Sequence, residues 1–197
     1  MSLIISSIKN NIIRDIKLVY EKITNPTTDD NYNEIIPGLY LGNYDAAMSK
    51  TFLIDKDINF VINCSNDLDF PDFYKTINNS NFKYVRIPLD DSHRDIDQLV
   101  MSISLPKICP IIHENLSNGY NVYVHCYAGM QRSATVIICY LMYKDYLERK
   151  KIKNLLKYYQ FLKSKRVIVF RPDPTFENVI LNYHKKIKNN QNKNNQK

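Results

Sequence analysis

The run Val122-Tyr123-Val124-His125-Cys126-Tyr127-Ala128-Gly129-Met130-Gln131-Arg132-Ser133-Ala134-Thr135 passes from a β-branched, buried-looking strand through a short loop into an apolar helix. The amides of such a loop, with the unpaired N–H groups at the helix start, form a cradle for a tetrahedral dianion. Tyr127, Ala128, Gly129, Met130, Gln131 and Arg132 are the phosphate-binding candidates, and Gly129 permits the tight curl. Arg132 adds a planar, permanently charged fork that can bind two phosphate oxygens at once. The same positive field favours thiolate at Cys126, because a free thiol pKa near 8.5 falls to roughly 3.5 to 7.5 in such surroundings. The chemistry implied is attack of Cys126 on phosphorus, a cysteinyl-phosphate intermediate and hydrolysis by water. Ser133 is placed to donate a hydrogen bond to the departing sulfur, and His125 to steady the loop by hydrogen bonding rather than by proton transfer.

The elements that must position this loop are legible from periodicity. Short β-branched or aromatic runs at Leu39 to Leu41, Phe60 to Cys64, Tyr84 to Leu89 and Val122 to His125 predict strands. Helical patterns cover Asp45 to Ile54, Ala134 to Leu147, Ile152 to Lys165 and Pro174 to Lys186, with an irregular stretch from Asp97 to Leu116 broken by Pro106 and Pro110. This alternation predicts an α/β single domain with a mostly parallel central sheet flanked by helices. Ahead of it, Ile5, Ile8, Ile12, Ile16, Val19 and Ile23 recur every three or four residues, so residues 1–32 read as an amphipathic helix and a polar linker. Residues 33–185 form the main domain, and 186–197, nearly all Lys, Asn and Gln, read as a disordered basic tail.

At 197 residues and 44% hydrophobic, the chain suits one core. Its longest apolar stretches fall short of the roughly 18 to 20 residues that cross a bilayer, so no stable membrane insertion is expected. Lys9, Asn10, Asn11, Arg14 and Asp15 interrupt the N-terminal isoleucines, which argues against a secretory leader. Cys64, Cys109, Cys126 and Cys139 show no metal-ligand spacing; no metal site is expected, and reduced thiols in a cytoplasmic compartment are. Of the net charge of +7, five lysines follow His184 with no acid among them, leaving +2 for the rest, so no nucleic-acid partner is expected. The isoleucine stripe of the N-terminal helix must be covered by its own domain, by a membrane surface or by a second copy, the last making a homodimer through that helix.

The loop resembles the signature of the dual-specificity protein phosphatases, within the cysteine-dependent protein tyrosine phosphatase superfamily: His-Cys, two residues, Gly, two residues, Arg, then Ser or Thr. The resemblance spans roughly Asn33 to Lys186. Ile36-Pro37-Gly38-Leu39-Tyr40-Leu41-Gly42-Asn43 resembles the family's opening strand and turn, and Ala46 and Ala47 its first helix. Phe60-Val61-Ile62-Asn63-Cys64-Ser65 is similar to its next core strand. Arg171-Pro172-Asp173-Pro174-Thr175-Phe176 resembles the approach to its last helix.

The resemblance implies a protein tyrosine phosphatase-like fold and a shallow pocket accepting phosphotyrosine and phosphoserine or phosphothreonine on protein substrates, without metal or organic cofactor. It also implies a general acid on the loop after the Ile87-Pro88 strand end, three residues past the proline, which is Asp91; Asp90 is the alternative, and Asp95 reads as a helix-start residue. Gln131 departs from the serine common before the family's arginine. The absence of lysine at Tyr127, Met130 and Gln131 favours protein over inositol-lipid substrates. Some relatives use a cysteine at the position of Cys64 as a resolving thiol. The richness in Asn, Lys and Ile and the short format with an N-terminal helix resemble phosphatases of large DNA viruses.

Overall fold

The structure, a computed structural model, describes residues 30–77, 82–149 and 151–194. The expected N-terminal helix lies outside the described residues. The chain divides by backbone proximity into Met1–Asp30 and Asn31–Lys197, and the fold below belongs to the second unit.

Five strands form one sheet in the order β1-β2-β5-β3-β4. The strands are β1 (Tyr32–Ile36), β2 (Leu39–Gly42), β3 (Ile58–Asn63), β4 (Lys83–Arg86) and β5 (Asn121–His125). β1 runs antiparallel to β2, and the other neighbours are parallel. The mostly parallel sheet is therefore present, with one antiparallel edge strand that the polar Tyr32-Asn33-Glu34 start conceals in the sequence.

Residue parity along the strands assigns each face. Leu39 and Leu41 of β2, Phe60 and Ile62 of β3, and Val122 and Val124 of β5 enter the larger core, whereas Tyr40, Val61 and Tyr123 enter the smaller one. The larger core is closed by α3 (Asp95–Ser117), α4 (Arg132–Leu147), α5 (Leu155–Lys165) and α6 (Glu177–Asn194). The smaller is closed by α1 (Tyr44–Ala47), α2 (Lys50–Asp55) and a 3-10 turn at Asp72–Thr76. Cys64 and Cys126 continue the parity of Ile62 and Val124 and point to the larger core.

Three expectations are corrected. The helix expected over Asp45 to Ile54 is two helices, because the Ser49 hydroxyl accepts from the Phe52 amide at 3.2 Å and restarts the helix as an N-cap. Pro106 and Pro110 lie inside one continuous helix, α3. Each proline costs about 3 kcal/mol, yet Met101, Leu105, Ile108, Cys109 and Ile112 are buried on one side of α3, each contributing up to about 3 kcal/mol. The tail read as disordered from residue 186 is helical to Asn194: Ile187 is buried, and the Gln191 side chain accepts from the Ile152 amide at 3.0 Å. Composition alone misses a single apolar anchor of this kind.

Register brings the strand ends together. His125 lies opposite both Gly42 and Asn63, and Asn63 opposite Arg86. The connections leaving β2, β3, β4 and β5 therefore diverge from one carboxyl edge, the place where ligands bind in open α/β sheets.

Candidate active site

Cys126 leaves β5 at that edge and begins a loop that closes on Arg132, the first residue of α4. All five carbonyls from Tyr127 to Gln131 are engaged by donors outside the loop. Tyr127 O accepts from the Tyr44 amide at 2.9 Å, Met130 O from the Phe170 amide at 2.9 Å and Gln131 O from the Thr135 amide at 2.9 Å. Ala128 O and Gly129 O accept from Nη2 and Nε of Arg166, both at 3.0 Å. Because each peptide is planar and trans, carbonyls turned outward leave the following N–H groups facing the loop interior. The shape of the loop is thus held by the elements that surround it.

Gly129 adopts φ +67°, and a Cβ there would stand 2.4 Å from Gly42 O, so only glycine fits. Gly42 is equally confined, since its Cβ would meet Asn31 O at 2.3 Å. These two glycines let the loop lie directly against the end of β2.

The Cys126 thiol is buried and accepts a hydrogen bond from Ser133 Oγ at 3.2 Å. Burial pushes its pKa up, but the Arg132 guanidinium, the Ser133 hydroxyl and the Ser133 and Met130 amides outweigh it and leave the thiol below its ordinary value. Arg132 Nη1 donates to Leu89 O at 3.0 Å, fixing the side chain across the cradle. Its Nε is buried without a hydrogen-bond partner among the described residues. An orphaned guanidinium N–H beside an amide-lined loop fits an incoming phosphate oxygen.

The two candidate carboxylates of the acid loop make different contacts. Asp91 Oδ2 lies 3.9 Å from Arg132 Nε, with the side chain 38% exposed, whereas Asp90 pairs with Arg94. Asp95 is the first residue of α3, one position after its N-cap, Arg94. Asp97, which sequence reasoning left unassigned, organises the loop. Its carboxylate accepts from the Asp90 amide at 3.1 Å, Ser92 Oγ at 2.5 Å and Arg94 Nε at 3.0 Å. Burial raises the Asp97 pKa, but these donors prevail and hold it below the ordinary carboxylate range.

His125 lies where the strand passes into the loop. Neither ring nitrogen has a hydrogen-bond partner among the described residues. The ring instead stacks on Tyr123, centroids 5.5 Å apart at 12°, and faces Tyr44 at 6.2 Å. Burial depresses its pKa to about 4, aided by the Arg86 and Arg132 charges and opposed by a polar contact with the Cys126 backbone that falls short of full hydrogen-bond geometry. The ring is thus packed between Tyr123 and Tyr44 at the start of the loop.

Two further residues support the cradle. Arg166 is buried and extends its third arm to Asn33 Oδ1 at 2.7 Å, tying the loop to β1. Nothing in Ser164-Lys165-Arg166-Val167 distinguishes it from the lysines nearby. Gln131, noted only as a departure, donates from Nε2 to Arg171 O at 3.0 Å and Asp173 O at 2.9 Å and accepts from the Thr175 amide at 3.0 Å. Its length spans to a segment that serine would not reach.

The sheet and the loop at its carboxyl edge define an α/β domain of the protein tyrosine phosphatase-like class. Residues 39–186 match the dual specificity phosphatase catalytic domain, and the chain belongs to that family. It is 34% identical over 169 residues to human dual specificity protein phosphatase 16, covering 83% of this chain but 22% of that protein. It is 33% identical over 138 residues to 123R of Invertebrate iridescent virus 6, a candidate tyrosine phosphatase, covering 70% of this chain and 81% of that protein. Human DUSP28 shares the fold at a TM-score of 0.64 and 23% identity, covering 80% of this chain and 95% of the other. Among the described residues, no helix is long and apolar enough to cross a membrane.

Proposed function

We propose that this chain is a protein phosphatase that hydrolyses phosphotyrosine and phosphoserine or phosphothreonine monoesters through a cysteinyl-phosphate intermediate. The reading rests above all on the buried Arg132 Nε, which makes no hydrogen bond among the described residues, beside a thiol held below its ordinary pKa.

The phosphate occupies the cradle with its oxygens on the inward amides and on Arg132. Cys126 thiolate forms the S–P bond as the P–O bond to the substrate oxygen breaks, and the Asp91 carboxyl gives that oxygen its proton. Water then attacks phosphorus, Asp91 takes a proton from it, and the S–P electron pair returns to sulfur, where Ser133 Oγ stabilises the thiolate by hydrogen bonding. Arg132 balances the equatorial oxygens throughout. No step needs a metal or an organic cofactor.

The loop presents no lysine at Tyr127, Met130 or Gln131 to hold additional phosphates, which favours phosphorylated proteins over inositol lipids. Its four cysteines are free and buried, consistent with a reducing cytoplasmic setting. Homodimerisation through the N-terminal helix remains a proposal, tested by sedimentation of the full chain against a chain starting near Asn33; two monomers would overturn it.

The deciding assay offers the full chain phosphotyrosine and phosphothreonine peptides, an inositol phosphate and 5′-triphosphorylated RNA. Peptide hydrolysis that is abolished by Cys126→Ser and slowed about 10²-fold or more by Asp91→Asn is expected. Turnover of the inositol phosphate or RNA alone would redirect the substrate class, and undiminished activity in Cys126→Ser would end the mechanism.

A further inference from the structure

The positive charge of this chain is not spread evenly. Residues 144–197 carry fifteen Lys or Arg against four Asp or Glu, a balance of +11, while the preceding 143 residues carry twelve against sixteen, a balance of −4. The basic part includes α5, α6 and the α4–α5 connection.

Two adjoining depressions open in this region. The first, about 290 Å³, is walled by Arg149, Lys151 and Lys188 with Gln191 and Asn192, and no carboxylate lines it. Among the described residues, none of these three cations forms an ion pair. The second, about 280 Å³, has an apolar floor of Ile36, Leu141, Tyr158 and Phe161. Its remaining lining is Lys144, Lys153 and Lys157 with the Asp145 carboxylate. Lys153 and Tyr158 Oη both bond to the buried Asp145 carboxylate, at 2.6 and 2.8 Å, and Lys144 pairs with Glu148, so among the described residues Lys157 is the rim cation left without an ion pair. The depressions meet at consecutive residues, Ile152 lining one and Lys153 the other.

Their position separates them from the cradle. Ile36 pairs with Leu39, whereas Tyr32, at the other end of β1, pairs with Gly42 beside His125. The apolar depression therefore lies at the opposite end of the sheet from Cys126.

We propose that these two depressions together form a docking groove for an extended acidic peptide segment of a partner protein, with carboxylates over Arg149, Lys151 and Lys188 and one apolar side chain seated on Leu141, Tyr158 and Phe161. Charge complementarity selects an acidic occupant for the first depression. The apolar floor of the second selects a peptide, because a nucleic acid brings no aliphatic side chain and a flat bilayer cannot enter two concave sites. The inference does not depend on the proposed hydrolysis.

The test uses the full chain carrying Cys126→Ser and a fluorescein-labelled hexapeptide of four glutamates followed by two leucines, read by anisotropy. Saturable binding that weakens as salt rises from 0.05 to 0.5 M is expected, because the screening length shortens over that range. The triple change Arg149→Glu, Lys151→Glu, Lys188→Glu should weaken it by roughly 10-fold or more, and Phe161→Ala by about 3-fold or more. These side chains are exposed, so unchanged thermal melting serves as the folding control, and Lys157→Glu alone provides a milder variant expected to weaken binding. No saturable binding, equal affinity in the folded triple variant, or equal affinity for a peptide lacking the leucines would overturn the groove. Capture of phosphatidylserine vesicles through the same cations, with no peptide binding, would also overturn it.

Discussion

Cys64 and Cys126 leave adjacent parallel strands at the same level: the Cys64 amide donates to the His125 carbonyl at 2.7 Å, and both side chains enter the same core. Burial raises the Cys64 pKa well above its ordinary value, and the neighbouring Cys126 charge raises it further. Peroxide is expected to oxidise the Cys126 thiolate to a sulfenic acid, and attack by the Cys64 sulfur would then form the disulfide with loss of water. Mild peroxide is expected to inactivate the protein in a manner reversed by thiol reductant, whereas the Cys64→Ser protein should lose activity permanently. Equal recovery of the two proteins would leave Cys64 as a packing residue.

Lowering of the Cys126 pKa depends on donors that can be removed singly. Ser133→Ala deletes the 3.2 Å hydrogen bond to sulfur, so the thiolate loses stabilisation and the pKa moves up. The midpoint of the pH-dependent rate of alkylation by iodoacetamide should lie below that of a free thiol in the parent chain and shift upward in the variant. An unshifted midpoint would mean that Arg132 and the loop amides suffice.

Arg166 is a positioning residue for the cradle, since it touches two loop carbonyls and no substrate atom. Arg166→Lys keeps the charge but cannot span Ala128 O, Gly129 O and Asn33 Oδ1 together. A fall in kcat of roughly 10-fold or more is expected, with an upward shift in the Cys126 alkylation midpoint. A merely structural role would lower the melting temperature and leave that midpoint unmoved.

His125 makes stability depend on pH in a definite direction. Its pKa falls from 6.5 unfolded to about 4 folded, so the unfolded chain binds more protons between those values. Its contribution is therefore fully present above pH 6.5 and is lost progressively as pH falls toward 4, to a limit of about 3 kcal/mol. Urea denaturation of His125→Phe, which retains an aromatic ring for Tyr123 and Tyr44, should show less acid sensitivity across that window. Identical pH dependence in parent and variant would remove His125 from the acid response.

The sequence by itself determined the chemistry of residues 125–133, because a cradle that binds one phosphate is built from contiguous backbone. Cys126, Gly129, Arg132 and Ser133 therefore had to appear at fixed spacing. Strand parity was equally local: alternation along β2, β3 and β5 assigns the faces without any knowledge of neighbours. What depended on distant partners was decided only in three dimensions. Asp90 and Asp91 are chemically identical in sequence, and it is the pairing of Asp90 with Arg94 that leaves Asp91 facing Arg132. Arg166 stands thirty-seven residues from the glycine whose carbonyl it holds, and no local pattern marks it. The prolines of α3 read as an irregular stretch and the Lys- and Asn-rich end of α6 as disordered because their stabilising contacts, the core beneath Met101 to Ile112 and beneath Ile187, belong to other parts of the chain. Local chemistry is written in adjacent residues, whereas aim, support and order arise from burial against elements that only folding brings near.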